Sequence, residues 1–143
     1  MKHALIAILT LCAAGLAHAQ ATPVGLWKTI DDETKQEKSY VRIVESGDVL
    51  AGKVERVLDP AKQDAKCDQC SDARKGQPIL GMTILEGVKK NADEAYWDGG
   101  TILDPNKGKS YRVRLTPKDG GKQLEVRGYI GPFYRNQTWL RVE

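Results

Sequence analysis

Between residues 24 and 142 the apolar side chains tend to recur at every second position, in short runs. A period of two describes an extended strand with one dry face and one wet face. The runs are rich in Val, Ile, Tyr and Trp. They are separated by Gly, Asp, Asn and Pro, the residues that turn a chain. The pattern predicts strands near 24–30, 38–45, 49–58, 79–85, 95–103, 109–116, 122–130 and 135–142. No amphipathic helical stripe competes with them; residues 87–95 (GVKKNADEA) read as one helical turn or a loop. About eight short strands joined by turn signals predict an all-β chain, a small antiparallel up-and-down β-barrel.

Three hairpins can be worked out. Asp119-Gly120 is a two-residue turn signal in which both residues take positive φ. Centring the turn there pairs Leu115 with Leu124, Val113 with Val126, and Tyr111 with Gly128 on one face. The opposite face then pairs Arg114 with Glu125 and Arg112 with Arg127, a like-charge pair that must splay into solvent. A slip of one residue would turn Leu124 and Val126 to water, so the apolar pattern opposes it. A second hairpin turns at Ser46-Gly47-Asp48 and puts Val41, Ile43, Leu50, Gly52 and Val54 on a common face. A third turns at Asp104-Pro105-Asn106-Lys107-Gly108, where Asp starts the turn, Pro presets φ and Gly ends it. Leu-Asp-Pro occurs at 58–60 and again at 103–105, which reads as two similar turn starts.

The first 19 residues predict an export signal. Lys2 gives the positive start, Ala4 to Leu16 the apolar run, and Ala17-His18-Ala19 the small-x-small cleavage site. Leu9-Thr10-Leu11 before Cys12 is too bulky for a lipobox, so lipidation is not expected. Removal of 1–19 leaves 143 − 19 = 124 residues as a single domain, 20–143, with a charge of 21 − 19 = +2. That bias is too weak to argue for nucleic acid or an anionic membrane surface. No later segment is long and apolar enough to insert in a membrane. The expected location is therefore the periplasm or the secreted fraction.

Processing would also remove both histidines, His3 and His18, and one of the three cysteines. Without histidine, the Ser-His-Asp and Cys-His nucleophilic systems are excluded. Catalysis would have to rest on carboxylates. Asp31-Asp32-Glu33 reads as a solvated turn. Asp98, between Trp97 and Gly99-Gly100, is either a pocket acid or the cap of a turn or bulge at the tandem glycines. The longest connection, 59–77, is polar and holds Cys67-Asp68-Gln69-Cys70. In an oxidising compartment this close pair is expected to form a disulfide that clips the loop. A redox-active pair would want a helix N-terminus or a cation at the first thiolate, and Asp68 opposes Lys66. A zinc site lacks two of its four ligands, so no cofactor or metal is expected.

Gly25-Leu26-Trp27 opens the first strand, and Arg135 and Arg141 flank Trp139 in the last. In a closed barrel these strands are neighbours, so an arginine of the last strand is expected over Trp27. Gly25, Trp27 and Arg141 are thus structural candidates. Arg127 and Tyr129 share a strand face that is expected to point outward. The Gly-x-Trp opening with a late arginine resembles the lipocalin or calycin arrangement. The run Trp97-x-Gly-Gly-x-Ile102-x-Asp104-Pro105-x-x-Gly108-Lys109-x-Tyr111 is more specific, as is Leu124-x-Val126-x-Gly128-Tyr129-x-Gly131. Together with the Cys67/Cys70 loop and Gly76-x-Pro78-Ile79, these resemble a family of exported bacterial proteins, the domain of unknown function 2147. The resemblance runs from Gly25 to Arg141. It implies a lipocalin-like barrel, and it implies no activity from which catalytic residues could be carried over.

Such a barrel either fills with side chains or holds one small ligand. The first reading is a binder of a small, partly apolar or amphipathic molecule, not an enzyme, acting as a monomer. Its expected walls are Tyr111, Val113, Leu115, Leu124 and Val126, with Trp27 and Trp97 near the ends. The alternative is an interaction module for an envelope protein partner, with a packed core and the 59–77 loop as contact surface. Carboxylate-only catalysis at Asp98 is a third.

Overall fold

The computed structural model describes residues 21–143. The export signal expected over 1–19 lies outside the described residues. The strands are β1 (Gly25–Ile30), β2 (Glu37–Ser46), β3 (Val49–Val57), β4 (Thr83–Lys90), β5 (Trp97–Asp98), β6 (Thr101–Asp104), β7 (Lys109–Lys118), β8 (Gln123–Ile130) and β9 (Phe133–Arg141). β5 and β6 share one barrel position, interrupted at Gly99-Gly100, where Gly99 takes φ +83°. A side chain at Gly100 would run into the backbone of Glu86 on β4, which is why the strand breaks at a glycine. All pairings are antiparallel, and the order β3-β2-β1-β9-β8-β7-β5-β4 closes through β3–β4. The expected up-and-down barrel of eight positions is what forms. Among the described residues the only helical pieces are 3-10 turns at Pro60–Lys62 and Asp119–Gly121.

The alternation fixes which side chains are dry. Val41, Ile43, Leu50, Gly52 and Val54 are all buried, as the second hairpin predicted, and Ser46 pairs with Val49 across a Gly47-Asp48 turn. The third turn also forms: Asp104 Oδ1 accepts from the amides of Asn106 (3.0 Å) and Lys107 (3.3 Å), and Gly108 has φ +66°. Asp59 uses the same device, accepting from Ala61 N at 2.9 Å, so the repeated Leu-Asp-Pro is a repeated turn start.

Two expectations are corrected. The strand placed at 79–85 is Thr83–Lys90, so Gly87–Lys90 is strand and the loop is confined to residues 91–96. The β7–β8 register pairs Leu115 with Val126, Val113 with Gly128, and Arg114 with Arg127. Asp119 (φ +50°) and Gly120 (φ +61°) do take positive φ, but the turn extends through Gly121 and Lys122. The slip is two residues, so every side chain keeps its predicted face. The arginine pair is relieved by stacking, with Arg114 4.0 Å from the Tyr96 ring and Arg127 4.0 Å from that of Tyr134.

The seam between β1 and β9 is short. Its ladder pairs only Trp27 with Arg141 and Lys28 with Leu140, and Leu26 N donates to Glu143 O at 2.8 Å. Further up the barrel, side chains take over from backbone.

Candidate functional site

The meander places the β1–β2, β3–β4, β6–β7 and β8–β9 connections at one end of the barrel and the chain start, the remaining turns and the C-terminus at the other. The second end is plugged. Trp27 is fully buried, donates Nε1–H to Pro23 O at 2.7 Å, and carries the Arg141 guanidinium 4.2 Å from its ring. Arg141 donates to the carbonyls of Gly121 (2.6 Å), Val24 (2.9 Å) and Thr22 (2.7 Å), and burial draws its pKa down. A Cβ at Gly25 (φ +139°) would collide with this guanidinium. Gly25, Trp27 and Arg141 thus form the expected structural plug.

The first end opens into a cavity of ≈ 430 Å³. One side is apolar: Val54, Val57, Ile79, Ile84, Ile102 and Val126, with Tyr111 and Ala65. Of the walls expected from sequence, Tyr111 and Val126 line this space. Val113, Leu115, Leu124 and Trp27 do not; they are buried together in the filled part of the core. Trp97 faces a surface recess with Ala21, Lys90 and Pro117, and Lys90 Nζ lies 5.2 Å from its ring. Alternation told inward from outward, and the large plug decides which inward residues meet empty space.

The other side of the cavity is polar and comes from β9, β1 and β2. Successive inward positions on β9 are Arg135, Gln137 and Trp139. Trp139 Nε1 donates to Gln137 Oε1 (2.9 Å), and Gln137 Nε2 donates to Asp32 Oδ1 (3.3 Å). Arg135 donates to Asp32 Oδ2 through Nε (3.0 Å) and a terminal nitrogen (2.6 Å), and also pairs with Glu33 at 2.8 Å. Burial pushes the Asp32 carboxyl up, but the donors on Arg135 and Gln137 outweigh it and hold it below its ordinary value. The expected solvated turn is therefore corrected at Asp32, which stitches the β1–β9 seam. It holds for Asp31, which accepts from the amides of Glu33 (3.0 Å) and Thr34 (2.8 Å). Nothing local in the sequence linked Asp32 to Arg135, a partner 103 residues away. Thr29 and Ser39, paired across β1 and β2, complete this side with hydroxyls 2.9 Å apart.

Cys67 and Cys70 form the disulfide, and both are buried against the core. Cys67 N donates to Gln77 O (2.9 Å) and Ile79 N to Ala65 O (2.9 Å), so the long connection folds back as a pinned flap beside the mouth. Gly108 abuts the Gln69 carbonyl, which docks the flap on the β6–β7 turn. Asp98 pairs across to Lys89 next to the glycine bulge and lines neither hollow. Arg127 and Tyr129 point outward as expected, with Arg127 Nε donating to Asn136 Oδ1 at 2.9 Å. Among the described residues no group of three acids, cysteines or histidines is arranged to hold a metal, and no helix is long and apolar enough to cross a membrane.

Residues 25–141 match the family model described as "Uncharacterized protein conserved in bacteria (DUF2147)". No curated protein matches the chain. Among solved structures, the chain is similar to protein HP1028 from the human pathogen Helicobacter pylori, described as belonging to the lipocalin family. The two share 20% identity over 86% of this chain and 84% of that one, with a TM-score of 0.73. At that identity the likeness establishes a common lipocalin-like fold.

Proposed function

The chain belongs to the DUF2147 family of bacterial proteins, and from that premise and the half-filled barrel we propose that it binds one small, partly apolar molecule in its cavity. The observation that carries this reading is the ≈ 430 Å³ hollow continuous with the apolar core. That volume lies within the usual range of small-molecule sites, and a barrel of eight strands suits one such ligand. A hollow lined by Val, Ile and Tyr favours this over an interaction module, whose premise was a packed core. The flap at 59–77 also lends Asp59, Lys62 and Ala65 to the cavity, which suits an edge of the site better than a separate contact surface. The buried disulfide supports an oxidising compartment, periplasmic or secreted. No histidine occurs after His18, which supports binding without turnover.

The test is native mass spectrometry of protein isolated from its own host without refolding. A retained small molecule that is lost on denaturation is expected. An apo mass after gentle isolation, together with no quenching of Trp139 by apolar probes, would remove the proposal.

A further inference from the structure

The cavity has two unlike sides, and hydrogen-bond accounting on the polar one says what a ligand must bring. Thr29 is 7% exposed, and its Oγ1 accepts the Ser39 amide at 3.1 Å. Its hydroxyl also bonds that of Ser39 at 2.9 Å. The pair owns two hydroxyl hydrogens and uses one between them, whichever oxygen donates. One hydroxyl hydrogen is therefore left over on a wall of the cavity. Gln137 is constrained in the same way. Trp139 Nε1 can only donate and the Asp32 carboxylate can only accept, so the amide oxygen faces Trp139 and the amide nitrogen faces Asp32. One amide N–H and one lone pair stay unused. The charges are arranged differently: Arg135 pairs with Asp32 and also with Glu33. That guanidinium is neutralised, whereas Lys38, Lys62 and Lys107 line the same cavity with no ion pair among the described residues.

We infer that the occupant has an apolar body and hydroxyl or carbonyl oxygens along one edge. This rests on the binding reading above and narrows it. The apolar body lies on Val54, Ile79, Ile84 and Ile102, and the oxygenated edge meets Thr29, Ser39 and Gln137. A pure hydrocarbon would strand the spare donors without a partner, which burial penalises.

Isothermal titration with naphthalene, α-naphthol and α-naphthoate at neutral pH tests this. α-Naphthol is expected to bind more tightly than naphthalene. In Thr29→Val with Ser39→Ala, or in Gln137→Leu, the affinity ratio of α-naphthol to naphthalene is expected to fall by about fivefold, one hydrogen bond's worth. An α-naphthol no tighter than naphthalene, or ratios unchanged in both variants, would overturn the inference while leaving the cavity as a binding site. Failure of all three probes on the parent protein would count against the binding reading and take the inference with it. Should the hydroxyl variant not fold, Gln137→Leu and the naphthol–naphthalene comparison on the parent still decide.

Discussion

Replacing Arg141 by Met should loosen the plug without hollowing it, because Met keeps the aliphatic stem while removing the guanidinium. Three carbonyls lose a charged donor: Gly121, Val24 and Thr22. Trp27 loses a cation held 4.2 Å from its ring, a contact worth roughly 0.5–2 kcal/mol. Hydrogen bonds to a charged group contribute roughly 1.5–3 kcal/mol each. They do not simply add here. Arg141 is only partly buried, so removing it restores hydration of the ion's site and lets water reach the carbonyls of the chain start. A net loss of about 3 kcal/mol follows, or roughly 10 °C in melting temperature for a domain of this length. The assay is urea unfolding followed by far-ultraviolet dichroism, with a double-mutant cycle against Trp27→Phe to isolate the ring contact. A loss below about 1 kcal/mol would refute the idea that Arg141 ties the chain start, the β7–β8 turn and Trp27 into one plug.

Three further outcomes are expected from the same geometry. Cys67→Ser with Cys70→Ser should lower stability by about 2 kcal/mol, the loop-closure value for so short a ring, and the parent should show no reactive thiol at these positions before reduction. Gly108→Ala should destabilise by about 2 kcal/mol more than Gly47→Ala, because both glycines take nearly the same positive φ (+66° and +65°) but only Gly108 abuts Gln69; equal melting temperatures would refute the docked flap. The folded Asp32 pKa is depressed, so its contribution is present above the unfolded value near 3.8 and is lost as pH falls through the folded one. Asp32→Asn should therefore cost about 1 kcal/mol at neutral pH, with parent and variant converging in acid; a gap that persists at pH ~2 would show that the stitch is not ionic.

The faces of the strands were legible because a period of two needs only local residues. The register of β7–β8 was less so. Asp119-Gly120 is followed by Gly121, which also takes positive φ (+90°), so the chain can turn later than the first signal says. A slip of two residues leaves every face intact, and the apolar pattern has no power to oppose it. The arginine over Trp27 was expected, and a turn or bulge at Gly99-Gly100 was one of the two readings of Asp98. Each comes from a short-range rule, or from the adjacency of first and last strands that barrel closure demands.

The cavity was legible as an option and not as a place. Val113 and Tyr111 are alternate inward residues of the same strand, yet one is sealed in the packed core and the other lines empty space. What separates them is height above Trp27, a property of the closed barrel and not of either residue. The same reasoning explains Asp32. As part of Asp31-Asp32-Glu33 it looks like any charged turn. It becomes a cavity group because the β1–β9 ladder stops at Lys28 and Leu140, leaving an upper seam that a carboxylate can bridge to Arg135. At this seam the backbone ladder is incomplete, and polar side chains tie the strands instead. Where it gives out, they turn inward to close the wall, and in doing so they put hydrogen-bonding groups on one side of an otherwise apolar hollow. The polarity of the cavity is thus a consequence of how this barrel closes, and any ligand it selects is selected at the seam.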